Sequence, residues 1–120
     1  MERRDFVFYQ GKTMTYTFII TIVEDGVEIP FDLTGYEARL ELKKKLSDED
    51  ALLLFTSDPA AGLDLGTPTD GLVVLTISAT QASSVEFILA EYQLELYTPG
   101  SVIVERPAWG MVPMSKEVII

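Results

Sequence analysis

Apolar side chains recur at every second position in three separate stretches of this chain, a spacing that constrains the fold to β-strands with one buried face. From Thr13 to Glu24, Met14, Tyr16, Phe18, Ile20 and Ile22 share one face, with Thr13, Thr15, Thr17 and Thr21 opposite. This reads as one long strand, and Ile19 and Val23 on the threonine face predict that a neighbour covers part of it. Asp25-Gly26 suits the positive φ angles of a type I′ hairpin turn. Val27 to Phe31 then returns, with Pro30 placing it at an edge. After the turn cluster Asp32-Leu33-Thr34-Gly35, Tyr36, Ala38, Leu40 and Leu42 alternate with Glu37, Arg39, Glu41 and Lys43. Tyr92, Leu94 and Leu96 alternate in the same way within Ala90 to Thr98, and Pro99-Gly100 closes that strand.

The pieces between are shorter. Lys43-Lys44-Lys45 and Asp48-Glu49-Asp50 flank a solvated loop, followed by a short apolar strand over Ala51 to Phe55. Ser57 to Asp70 is mostly loop, with a brief strand at Leu63 to Leu65, and Gly71 to Ser78 is a strand. Ser78 with Gln81 three residues on forms a capping box for one short helix between Ala79 and Phe87. In the final segment, Val102 to Arg106 and Gly110 to Met114 pair around a bulge at Ala108-Trp109. Seven or so short strands and one short helix predict an all-β sandwich or barrel. The faces place Phe18, Ile20, Tyr36, Leu40, Val73, Leu75, Tyr92 and Leu94 in its core.

With 120 residues, of which 48% are hydrophobic, the chain fits a single domain at 1–120 with one core. Residues 1–10 and 115–120 are candidate arms. Cysteine and histidine are both absent, which excludes disulfides and thiolate chemistry and removes the commonest zinc ligands and general bases. No catalytic residue, metal ligand or cofactor site is assigned, and the chain is not expected to be an enzyme. Asp58, Asp64 and Asp70 fit no compact calcium loop and read as turn residues. A net charge of −10 repels phosphate backbones, so no direct nucleic-acid binding is expected. No apolar run approaches the ~20 residues of a membrane span, so no membrane partner is expected and the chain is cytosolic when made.

The candidate partner-binding residues lie towards the two ends: Phe6, Phe8, Trp109, Met111, Met114, Val118, Ile119 and Ile120. Apolar side chains are unusual at termini, which are commonly frayed and polar. Full burial of a residue such as those in Val118-Ile119-Ile120 is worth roughly 1.5–3 kcal/mol, so a partner is expected to cover them. Phe6 and Phe8 face one way. They suit either the domain's own first strand or an arm laid on a neighbour's sheet edge.

Three segments, Asp32-Leu33-Thr34-Gly35-Tyr36-x-Ala38-Arg39-Leu40, Leu75-Thr76-Ile77-Ser78-Ala79-Thr80-Gln81-Ala82 and Ala90-Glu91-Tyr92-Gln93-Leu94-Glu95-Leu96, resemble in order and spacing small tailed-bacteriophage virion proteins. These are similar to the amino-terminal domain of baseplate upper proteins. The resemblance implies an immunoglobulin-like antiparallel β-sandwich. It also implies a structural virion component of the tail, baseplate or fibre-attachment region, in contact with other phage structural proteins and assembled as a homo-oligomer. A capsid decoration protein or a carbohydrate-binding display module is the alternative.

Overall fold

The computed structural model describes residues 2–45, 47–58 and 60–116. In chain order the elements are β1 (Glu2–Arg3), β2 (Phe8–Tyr9), β3 (Met14–Ile19), β4 (Thr21–Glu24), β5 (Val27–Pro30), β6 (Glu37–Lys43) and β7 (Leu53–Ser57). They continue with β8 (Ala60–Ala61), β9 (Leu63–Asp64), β10 (Leu72–Ile77), α1 (Ala79–Ser83), β11 (Leu89–Tyr97) and β12 (Val104–Ser115). The larger sheet runs β1-β12-β11-β6-β7-β8, with β2 also on β12. The smaller sheet is β3-β10-β9, and β4 and β5 form a separate ribbon.

Alternation dictates which faces meet. Ala38, Leu40 and Leu42 of β6, Tyr92, Leu94 and Leu96 of β11, and Ala108 and Val112 of β12 point inward from the larger sheet. Met14 and Phe18 of β3 and Val73, Leu75 and Ile77 of β10 oppose them, and all are buried in one cluster. The antiparallel register Leu40↔Leu94 and Val73↔Phe18 keeps these rows aligned. Two facing sheets with this strand order, β7 and β8 widening the β6-β11-β12 sheet, make an immunoglobulin-like β-sandwich with one short helix. Of the expected core, only Tyr36 is partly exposed. It sits at the sheet's end, edge-on to Phe31 at 5.6 Å.

The long strand expected over residues 13–24 is broken at Ile20. Its N–H donates to the Gly71 carbonyl (2.7 Å), and its own carbonyl accepts the Phe31 N–H (2.9 Å), so the chain leaves β10 there. A Cβ on Gly71 (φ +68°) would lie 2.5 Å from the Ile20 carbonyl oxygen, which accounts for glycine at this crossing. Beyond the break β4 pairs only with β5, around Asp25 and Gly26 at φ 52° and 76°, as a type I′ turn requires. The cover expected over Ile19 and Val23 is not found among the described residues: they are 53% and 71% exposed.

Two further differences concern punctuation. The helix carries the expected capping box but ends at Ser83, leaving Phe87 to bury itself edge-on to Phe8 at 5.3 Å. The last segment is one continuous strand. Its register shifts between Leu94↔Ala108 and Leu96↔Glu105, so the bulge holds Arg106 and Pro107, not Ala108 and Trp109. Proline has no N–H to give the ladder, and a bulge is where that loss costs least.

Candidate functional site

The amino-terminal segment closes the edge of the larger sheet. β1 and β2 both run parallel to β12, through Glu2↔Ala108, Arg3↔Trp109 and Phe8↔Met114. Between them Arg4 N–H donates to the Trp109 carbonyl (2.8 Å), and the Asp5 carboxylate replaces a backbone acceptor by taking the Met111 N–H (2.8 Å). The hydrogen bond from Arg3 and the one from Met111 hold the Asp5 carboxyl below its ordinary range. From the interior, the Tyr92 hydroxyl donates to the Arg4 carbonyl, and burial pushes that phenol well above its usual value. Gly110 lets the segment approach this closely, since a Cβ there would lie 2.3 Å from the Arg4 oxygen.

Phe6 and Phe8 are consequently core residues. Phe6 packs on Tyr16 at 4.5 Å and on Tyr92 at 5.1 Å, and Phe8 is fully buried. The isolated domain uses both rings itself, which removes them from the partner-facing set and makes the first arm the domain's own edge strand. Met114 leaves the set for a related reason. It shares the inward parity of Ala108 and Val112 on β12 and packs against the core. Val118, Ile119 and Ile120 lie outside the described residues.

Trp109 and Met111 remain, side by side on the outward face of β12 and both half-buried. The Arg3 guanidinium lies 5.3 Å from the indole centroid, and Gln93 and Glu91 of β11 stand directly opposite the two residues. Farther across the same face Glu95 is nearly enclosed and accepts from Arg39 Nε (2.6 Å) and Arg106 Nε (3.1 Å), while Arg39 covers the Tyr97 ring at 4.7 Å. The face thus has an apolar, aromatic end and a charge-paired middle. An indole, a thioether and a guanidinium together supply adaptable area and fixed polarity, the composition that anchors protein contacts.

At the β7–β9 edge a cleft of about 610 Å³ is lined by Glu37, Ser57, Asp64 and Thr76 among others. The Ser57 hydroxyl donates to Glu37 (2.7 Å) and accepts the Ala38 N–H (2.7 Å), so both groups are spent on tying the edge together. No aromatic ring lines this cleft. Among the described residues no group of three or more acidic side chains is placed to hold a metal ion, and no helix is long and apolar enough to cross a membrane.

Sequence periodicity missed several exposed apolar residues: Val27 on the ribbon, Ile88 and Leu89 after the helix, and Val102 and Ile103 before β12. Ile88 lies outside the regular strands, and Val102 and Ile103, expected within a strand over Val102 to Arg106, precede β12, which begins only at Val104.

No protein-family model matches the chain, and no curated protein matches it. Among solved structures it is similar to the NK cell receptor Nkp44, described as a triggering partner in natural cytotoxicity, with a TM-score of 0.52 and 12% identity over 96% of this chain and 100% of that one. At that identity the likeness shows the immunoglobulin-like fold alone.

Proposed function

We propose that this chain is a non-enzymatic structural component of a bacteriophage virion, an adaptor of the tail, baseplate or fibre-attachment region that works through protein contacts. It is made in the host cytoplasm and incorporated in several copies beside other phage structural proteins. The resemblance of its three ordered segments to small virion proteins motivates the setting. The observation that carries the mode of action is the outward pair Trp109 and Met111 with Arg3 stacked on the indole. Aromatic and arginine side chains dominate the energetics of protein interfaces.

The test is incorporation. Purified chain added to phage particles assembled without it is expected to co-sediment with tails. A Trp109→Ala, Met111→Ala variant, folded by circular dichroism, is expected to bind at least about tenfold more weakly. Binding to capsids in place of tails would favour the decoration alternative. Binding to polysaccharide alone would replace the adaptor reading with that of a carbohydrate-binding module.

A further inference from the structure

The two ends of the sandwich carry opposite chemistry. At one end the β4–β5 ribbon projects with Glu24, Asp25 and Glu28, and no lysine or arginine occurs anywhere from Thr13 to Glu37. Val23 and Val27 near its tip are 71% and 59% exposed. Neither outer edge of the ribbon is continued by another described strand, and a two-stranded ribbon left to itself is only marginally stable in water.

At the other end, where β6 finishes and β11 begins, a groove of about 620 Å³ is lined by Lys44, Lys45, Phe87, Ile88, Leu89 and Lys116. Ile88 is 85% exposed. Glu86 also borders the groove but is paired with Lys116 (3.0 Å), and Asp48 nearby is turned to the Lys45 backbone N–H (3.2 Å). Among the described residues no carboxylate is within ion-pair distance of the Lys44 or Lys45 ammonium. In a chain of net charge −10, the lining of this groove carries three lysines against one carboxylate over an apolar floor, with the exposed Glu49 and Asp50 in the loop beyond it.

We infer that the occupant of the groove is the ribbon of a second copy of this chain. Carboxylates at the tip would meet Lys44 and Lys45, and Val23 and Val27 would cover Ile88 and Leu89. Because donor and acceptor patches lie at opposite ends of a molecule 54 Å long, a single copy cannot satisfy its own groove and a two-fold pair is not required. Such a head-to-tail contact propagates into a ring or a row. The inference stands on surface chemistry and not on the virion reading. It is read on the purified chain without any particle, so either can fail alone.

Sedimentation of the full chain over a concentration series is the experiment. The wild-type chain is expected to form species beyond the dimer at low salt and fewer of them at high salt, because exposed charge pairs are screened. Glu24→Lys, Asp25→Lys and Lys44→Glu, Lys45→Glu double variants should each be monomeric where wild type associates, and an equimolar mixture should regain association. Val27→Asp and Ile88→Asp variants should each be monomeric, and their mixture should stop at dimers, having one intact ribbon and one intact groove. Circular dichroism checks that every variant is folded. A wild-type chain that stays monomeric overturns the inference, as do charge variants that associate like wild type or mixtures that restore nothing. Loss of association in a chain ending at Lys116, with the ribbon variant unaffected, would also overturn it and make residues 117–120 the occupant.

Discussion

The amino-terminal segment and the β4–β5 ribbon are both short peripheral strands with alternating apolar side chains, yet they end in opposite states. The first buries Phe6 and Phe8, whereas the second leaves Val23 and Val27 in water. The difference lies in the backbone. β1 and β2 lie on β12, which also pairs with β11, so their side chains are carried over the space between the sheets. The ribbon has only its own two strands, and among the described residues neither is bonded into one of the two facing sheets. Apolar content at an edge therefore does not decide burial. What decides it is whether the strand's hydrogen-bonding partner belongs to a layer that faces another.

Replacing Phe8 with alanine should expose this contrast most strongly, since a fully buried phenylalanine reduced to a methyl costs about 3–5 kcal/mol. Urea denaturation measures it, and a loss under about 0.5 kcal/mol, the usual surface value, would mean that the amino-terminal segment is as loosely held as the ribbon. Gly110→Ala comes next. The added Cβ collides with the Arg4 carbonyl and lies 2.8 Å from Asp5 Oδ1, so the segment must shift, at about 1–3 kcal/mol. Hydrogen exchange at the Arg4 and Met111 amides should accelerate in that variant, because both donate across the displaced junction. On the ribbon, Val23→Ser should stay within about 0.5 kcal/mol. A larger loss in dilute solution would show that the ribbon packs on its own domain.

Much of the fold was legible because alternation is a local property. The β6 and β11 faces, the Asp25-Gly26 turn and the Ser78–Gln81 capping box each depend on residues within a few positions of one another. Leu33 shows the limit. Its turn-rich neighbourhood gave no sign that it would be fully buried, since that follows from its N–H reaching the distant Pro68 carbonyl at 2.9 Å. The same holds for the candidate site. Trp109 and Met111 were identifiable as an apolar pair, but the stacking of Arg3 on the indole depends on a parallel strand pairing across nearly the whole chain. From spacing alone Phe6 and Phe8 suit a partner as well as the domain's own first strand, and Met114 suits a partner, because that pairing and the continuity of β12 through Pro113 are not local properties.

That pairing also has a kinetic side. Asp5 and Met111 are 106 positions apart, and the larger sheet cannot be completed before both are present. Closing so long a loop is entropically expensive, and folds dominated by such contacts mature in milliseconds to seconds, not microseconds. During synthesis Phe6 and Phe8 are made well ahead of β12 and have no strand to lie on until the final residues of β12 follow. Two hydrophobic rings thus stay without their strand partner while nearly all of the domain is translated, so a segment made ahead of the sheets is among the last to be placed in them.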